Sequence, residues 1–347
     1  MNHTLMFTGD VNLVNVADPA APFARVADTL ARADVVFGNL ECCLYTPAGE
    51  RSLIDEGFYA APAAGGALTR AGYRVVGTAN NVNYGSEAIL SSLAELDRLG
   101  ILHTGSGVNR EAAYAPAIIE CKGLTVGFLQ RTSVYWPTNH EAGEHTPGVA
   151  ALRGHTAYQV PLHKTRPEVP PGNRPGVPPE ILTWADPKYL AEYREQIAAL
   201  KRRTDIVIAS HHWGLHEEVL AYMSEIAHAA IDSGADIVVG HGPHFALPAG
   251  FYKRKPIFYG LGNFSFHTGH GGRKHGDWLG MVAQIELDSH AIKKVELSFV
   301  RHNERNETLL TIPQAETEAL ARLSESSARY GARLEAARGA VTVLPMP

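Results

Sequence analysis

The stretch Asp205 to His244 constrains this chain most. It reads DIVIASHHWG, then a helical segment, then GADIVVGHGPH. Two apolar runs, Ile206 to Ala209 and Ile237 to Val239, each end in Ser or Gly followed at once by histidine. Short buried runs separated by a helix predict a parallel βαβ unit. The carboxyl ends of such strands line the crevice where ligands bind. His211, His212, His241 and His244 therefore fall on neighbouring strand-end loops. Any one alone is most simply a hydrogen-bonded loop residue. Four at two matching strand ends point to a metal site or an acid/base site, since imidazole serves both.

The rest of the chain alternates in the same way. Thr4 to Gly9 predicts a first strand running into Asp10 and Asn12, and residues 21–33 predict a helix. Asp34 to Phe37 leads into Gly38-Asn39-Leu40-Glu41. A short helix over 63–71 precedes Arg74 to Gly77, which ends in Ala79-Asn80-Asn81. Ser86 is expected to cap an amphipathic helix carrying Leu90, Leu93, Leu96 and Leu99, with Gly100 as its stop. Three consecutive strands thus end in metal-capable oxygens, those of Asp10, Glu41 and Asn81. Ala117 to Glu120 and Leu124 to Phe128 predict a hairpin around Lys122-Gly123, whose second arm leads to Arg131. Residues 136–180 are rich in proline and read as a substrate-covering lid without regular structure. Arg153, His155, His163, Lys164 and Arg166 give that lid positive charge. Pro187 opens a helix to about residue 203. After His244 the pattern turns antiparallel, with strands at 256–259, 279–287 and 292–300, and a polar helix over roughly 314–338.

Composition enters as exclusion. Among 347 residues, 45% are hydrophobic and 19% charged, with a net charge of −5, which suits a sizeable core. The basic triplets Lys201-Arg202-Arg203 and Lys253-Arg254-Lys255 read as a helix end and a hairpin turn, so nucleic acid is not an expected partner. No window reaches 18 apolar residues, so no membrane span is expected. Cys42, Cys43 and Cys121, an odd count without a secretory leader, suggest buried thiols and a cytoplasmic location.

The motifs GDVNL, GNLE, ANN, SHHWG, GADIVVGHGPH and PIFYGLGNFSF, in this order, resemble the CapA (poly-gamma-glutamate capsule-synthesis) family. The resemblance covers about Leu5 to Val300. It implies the calcineurin-like metallophosphoesterase fold, a four-layer αββα sandwich of mixed sheets with helices outside. The implied division is one domain over 1–303, with 136–180 as insertion and 304–347 as a C-terminal helix and tail. Carried over by position, the implied metal ligands are Asp10, Glu41, Asn81, His212, His241 and His244, for one or two Mn, Fe or Zn ions. Asn12, Val82 and Gly242 depart from histidines common in relatives, which removes ligands and a proton donor. His267, after GNFSF, is the expected replacement donor, with Asp10 and His211 as further acid/base groups. Arg131, Asn80 and Trp213 are the expected substrate contacts, Arg131 for a carboxylate.

Three functions follow as expectations. One is metal-assisted hydrolysis of a carboxylate- or amide-bearing substrate, of peptide or gamma-glutamyl type. Another is metal-dependent peptide epimerisation by Asp/His proton exchange. A third is a non-catalytic part in capsule or poly-gamma-glutamate synthesis. The expected partner is a small-molecule or peptide substrate, with a homo-oligomer possible.

Overall fold

A computed structural model describes residues 2–48, 57–159, 176, 178–269, 274 and 278–347. The protein is a mixed α/β fold built on two large sheets. The first starts with three parallel steps: β1 (Asn2–Asn12), β2 (Val35–Leu40), β3 (Tyr73–Gly77) and β4 (Leu102–Thr104). The second contains β5 (Ala117–Cys121), β6 (Leu124–Thr132), β7 (Ile206–His212), β8 (Ile237–His241), β9 (Ala249–Tyr252) and β10 (Lys255–Phe258). Its order is β9-β10-β8-β7-β6-β5, parallel through β6, β7, β8 and β10, with antiparallel edges. The chain then returns to the first sheet with β11 (Asn263–Phe266), β12 (Gly280–Asp288), β13 (Ala291–His302), β14 (Thr308–Thr311), β15 (Ala332–Ala336) and β16 (Val341–Pro345). The order there is β15-β16-β13-β12-β1-β2-β3-β4, with β11 beside β1 and β14 beside β13.

Side-chain alternation explains how the sheets pack. In a strand, successive side chains leave opposite faces. Leu5, Phe7, Val35, Phe37 and Val75 of the first sheet share one apolar cluster with Val126, Phe128, Ile206, Ile208, Ile237 and Val239 of the second. Phe37 and Phe128 stack at 5.1 Å between ring centroids. The alternate residues face outward. Met6, Val36 and Val76 pack with Leu30, Leu68 and Leu96 from helical segments, while Val207, Ala209 and Val238 pack with Tyr193, Ile197, Ile226 and Ala230. The helices involved include α1 (Ser86–Arg98), α2 (Pro187–Lys201) and α3 (Ala221–Asp232). Pro187 sits at the first position of α2, and the Asp186 carboxylate accepts from the Lys188 and Tyr189 amides.

Several local expectations are corrected. Only Ala27–Leu30 of residues 21–33 is α-helical, as Pro19 and Pro22 remove amide donors just upstream. Ser86 lies inside α1 and Gly85 precedes it, with no side-chain cap; Leu90 faces solvent, and Ile89 takes the buried position. Residues 136–159 and 178–180 are not structureless, because Gly154–Gln159 pairs antiparallel with Glu180–Ala185. The remainder of that stretch, with His163, Lys164 and Arg166, lies outside the described residues. Arg153 is paired with Glu141, and His155 Nε2 lies 3.0 Å from Asp186 Oδ2, so both side chains have partners within the protein. The polar C-terminal helix is α4 (Thr317–Ala328), and the chain beyond it forms β15 and β16. The Lys122-Gly123 and Lys253-Arg254 turns both have positive φ, as tight hairpin turns require.

At Gly9-Asp10, β1 changes neighbour on one edge. Residues 2–8 pair with β12, and residues 10–12 pair with β11. Asp10 N donates to Gly262 O at 2.9 Å, and a Cβ on Gly9 would lie 2.0 Å from that oxygen. Only glycine permits this approach. The irregularity also shifts pairing with β2 between Phe7 and Asp10, and it brings the Asp10 carboxylate to the crevice.

Candidate metal centre

Asp10, Glu41 and His244 converge, each offering one ligand atom with all three atoms within 4.8 Å of one another. His244 Nδ1 is 3.3 Å from Asp10 Oδ2, and its Nε2 is 3.6 Å from Glu41 Oε1. His212 approaches from β7, with Nε2 3.7 Å from Glu41 Oε1. Asp10, Glu41 and His212 are buried, whereas a third of the His244 side chain is exposed. All four lie at or beyond the carboxyl ends of strands, where a parallel arrangement collects loop residues.

A layer of amides and hydroxyls orients these groups. Asn39 Nδ2 donates to Asp10 Oδ1 at 2.9 Å and to Glu41 Oε2 at 3.1 Å. The Asn39 carbonyl oxygen accepts from Asn80 and Gln130, each at 3.1 Å. Asn263 Oδ1 accepts from His244 Nδ1 at 2.9 Å. Gly242 N donates to Asp10 Oδ2 at 3.2 Å, so the position that lacks an imidazole contributes its amide instead. His212 Nδ1 lies 3.1 Å from Thr132 Oγ1, whose hydroxyl donates to Val134 O. That assigns the Nδ1 proton to the Thr132 contact and leaves Nε2 as a bare acceptor. Nε2 is buried and has no hydrogen-bond partner among the described residues. His244 holds φ +65°, a left-handed conformation rare outside glycine that is common where function constrains the backbone.

The electrostatics follow from this crowding. Burial raises Asp10, but the His244 hydrogen bond and the nearby imidazoles overcome it and hold the carboxyl well below its usual range. Burial and the Asp10 charge push Glu41 up, partly opposed by His244 and His212. Burial lowers His244, yet Glu41 and Asp10 together raise it to about 9. Two carboxylates this close raise the cost of ionising both, which a proton on Glu41 or a neighbouring cation relieves. In the protein as described His244 supplies one, and the bare His212 nitrogen aimed at Glu41 fits a second claim on the same space. A set of two carboxylates and two imidazoles matches the donor chemistry of a divalent transition ion.

Other expected site residues lie elsewhere. Asn81 lines the same cavity of about 490 Å³ as His212 and His244, and its main-chain oxygen accepts from Trp136. His241 is buried with Nε2 donating to Thr8 O at 3.0 Å and Nδ1 3.4 Å from Ser210 Oγ, so it braces β8 against β1. Asn12 binds Thr268 O and the Val14 amide, both at 2.8 Å. Asn80 does not face substrate, because its amide group is spent on Asn39, Leu40 O and the Val82 and Asn83 amides. Arg131 is also corrected. It is fully buried beneath α2, bonded to Gln130 O, Tyr114 O and Gln196, with its guanidinium 4.5 Å from the Tyr114 ring centre. His211 and Trp213 stack at 4.8 Å in the same interior, with His211 Nε2 2.7 Å from Tyr193 Oη. Neither reaches the crevice. His267 sets its ring edge against His302, 5.8 Å away, outside the cavity lined by His212 and His244. Asn39, Asn263 and Gln130 are the functional neighbours that sequence reasoning missed.

Buried carboxylates and imidazoles gathered at the strand ends of a mixed α/β sheet pair define a candidate metal-binding α/β protein. The family described as bacterial capsule synthesis protein PGA_cap matches residues 4–268, and the chain belongs to it. Two uncharacterized proteins of Sinorhizobium fredii (strain NBRC 101917 / NGR234) are each 30% identical over 311 residues, covering 76% of this chain and 66% of theirs. PGA biosynthesis protein CapA of Bacillus subtilis (strain 168) is 30% identical over 206 residues, 57% of this chain and 43% of that protein. Capsule biosynthesis protein CapA of Bacillus anthracis is 25% identical over 207 residues, 58% of this chain and 42% of that protein. The chain thus spans under two thirds of the length of these relatives. Among the described residues, no helix is long and apolar enough to cross a membrane.

Proposed function

We propose that this chain is a metal-dependent hydrolase acting on an amide of peptide or gamma-glutamyl type. The observation that carries this reading is the convergence of Asp10, Glu41 and His244 with the unpartnered His212 nitrogen, where the two histidines line one open cavity and the two carboxylates lie buried behind them. The two large sheets with helical segments on their outer faces support a four-layer αββα sandwich of the metallophosphoesterase type. The C-terminal strands β14 to β16, joined to the first sheet, support reading 304–347 as packed on the 1–303 domain. The capsule and PGA synthesis named in the relatives supports a glutamyl-type substrate.

Asp10, Glu41, His212 and His244 would hold the ion, of Mn, Fe or Zn type, with Asn81 at its edge. A divalent ion there supplies Lewis acidity toward a carbonyl and lowers the pKa of water. Asn39 fixes both carboxylates through one amide, so neither can swing out when a substrate enters. Asn263 holds His244 in the rotamer that faces Glu41. His216, an exposed imidazole on the cavity wall, is the group placed to exchange a proton with a leaving nitrogen, in the role first assigned to His267. Val82 is buried and has no such chemistry.

The test begins with metal analysis of purified protein. Candidate peptides and gamma-glutamyl amides are then incubated with the metal-loaded chain in deuterated water and read by mass. Cleavage products support hydrolysis. Deuterium uptake at an α-carbon without cleavage replaces hydrolysis with epimerisation. Stoichiometric metal with neither outcome, alongside the accessory role named for a relative, moves the chain to a supporting part.

A further inference from the structure

Beside the metal centre lies a second cavity, of about 570 Å³, whose wall is apolar and exposed. Its side chains come from three segments. In the hairpin Gly154–Gln159/Glu180–Ala185, Tyr158 pairs with Ile181 and Thr156 with Thr183, so the pleat sets all four on one face. The loop after β7 supplies Leu215 and Leu220, and Phe245 closes the remaining side. Tyr222 N donates to Thr183 Oγ1 at 3.2 Å, which ties the hairpin to the start of α3. Tyr158 is 70% exposed, Leu215 63%, Ile181 60% and Phe245 39%. Large apolar groups clustered at the surface mark a binding site, and this volume lies in the range of ligand pockets.

Two observations say what fills it. Leu215, His216 and Phe245 also line the cavity that contains His212 and His244, so the two spaces share a wall and the apolar one flanks the metal centre. Among the described residues, the carboxylates on its lining are Glu217 and Glu218, and no Lys or Arg lines it. A chain bearing carboxylates at every residue would meet like charge from Glu217 and Glu218, whereas an apolar side chain would cover exposed hydrocarbon. We propose that this cavity is a specificity subsite that seats an apolar side chain, of leucine or phenylalanine type, next to the amide presented to the metal centre. The substrate class becomes a peptide or gamma-glutamyl amide with an apolar residue on one side of the bond. This inference rests on the amide-hydrolase reading for its orientation, but its binding arm does not depend on turnover.

The experiment uses the Mn²⁺-loaded chain with gamma-glutamyl-leucine and gamma-glutamyl-glutamate, reading binding by calorimetry and cleavage by mass. Tighter binding of the leucyl peptide by about tenfold is expected, the scale on which an apolar pocket discriminates. Ile181→Ser, at an exposed position on the hairpin, should erase most of that preference without altering affinity for the glutamyl peptide, and Leu215→Ser, on the shared wall, should erase it as well. Glu217→Gln should strengthen glutamyl binding. Equal affinities, no leucyl binding, or a preference unchanged in the serine variants overturns the subsite. So does a dimer in sedimentation that Leu215→Ser dissolves, since a second copy then covers the patch. Preference without cleavage keeps the subsite and overturns hydrolysis; cleavage of both peptides without preference does the reverse.

Discussion

Two adjacent layers of strand-end residues meet opposite fates in this protein. His212 and Gln130 point between the sheets toward Glu41 and Asn39, while His211 and Arg131, one residue away on the same strands, point outward beneath α2. The inward layer is polar, buried and open to a cavity at one end. The outward layer is polar, buried and closed: Arg131 and His211 bond carbonyls, Gln196 and Tyr193, and Arg131 Nε and His211 Nδ1 have no partner among the described residues. Burial and unusual ionisation mark both layers, so neither property identifies a site by itself. What separates them is a route to solvent and a carboxylate facing the unpaired nitrogen, as Glu41 faces His212 Nε2.

The largest expected break in this symmetry is at the carboxylates. Glu41→Gln should lower metal affinity by at least 100-fold, measured by titration with Mn²⁺, and should abolish the rise in melting temperature on adding metal, because an ion bound only by the folded state stabilises it. His211→Ala should do the converse. It leaves a hole beside Trp213 and an unpaired Tyr193 hydroxyl, costing about 2–4 kcal/mol in denaturant unfolding with metal stoichiometry unchanged. Metal loss in the His211 variant would place that residue in the site after all.

Asn39→Ala comes next, with metal affinity expected to fall roughly 10- to 100-fold, the range for groups that orient ligands. Circular dichroism should show the fold retained. An unchanged affinity would mean the carboxylates are held without it.

The smallest effect concerns pH in the metal-free chain. Burial holds His140 down at about 4 and His211 at about 3. Their folded values lie below the ordinary 6.5, so the unfolded chain binds protons first as pH falls. Their stabilisation is present above about pH 6.5 and lost as pH drops toward 4 and 3. His244, raised to about 9, contributes below about pH 6.5 and loses that contribution as pH climbs toward 9. Melting temperature without metal should peak between the two limbs. Bound metal should remove the alkaline fall, since ligation keeps His244 deprotonated. An alkaline limb that persists with metal would argue against His244 as a ligand.

Much of this was legible in alternation. Ile206, Ile208 and Ser210 lead by twos to His212, and Val126 and Phe128 lead to Gln130, all on the face between the sheets. Val35 and Phe37 lead likewise to Asn39, and the same parity places Leu129 and Arg131 together on the helical side. Counting by twos from the apolar runs separates His212 from His211. Choosing residues by type put Arg131, His211 and Trp213 in the crevice. Asp10 is different. Leu5 and Phe7 face inward, so simple parity turns residue 10 outward, and only the pairing shift after Phe7 brings it to the site. Such an irregularity depends on which neighbours a strand acquires, and single-strand patterns do not carry that information. The 154–159 and 180–185 hairpin escaped for a related reason, as its pairing spans a proline-rich interval longer than ordinary turns.

The close approach at Gly9 carries a consequence for how this centre can change. Gly9 presses on the Gly262 carbonyl, and a Cβ on Gly280 would fall 1.7 Å from the Asn263 carbonyl oxygen. Asp10, Asn263 and β12 are therefore locked by main-chain contact, as in a keyed joint with no clearance. Any side chain added at the joint would displace the residue that steadies His244 together with the strand that carries Asp10. New specificities have no room to arise from underneath. They have room around the mouth, on the loop from Gly214 to Leu220 and on the hairpin face beside it, where side chains can be exchanged without disturbing the joint.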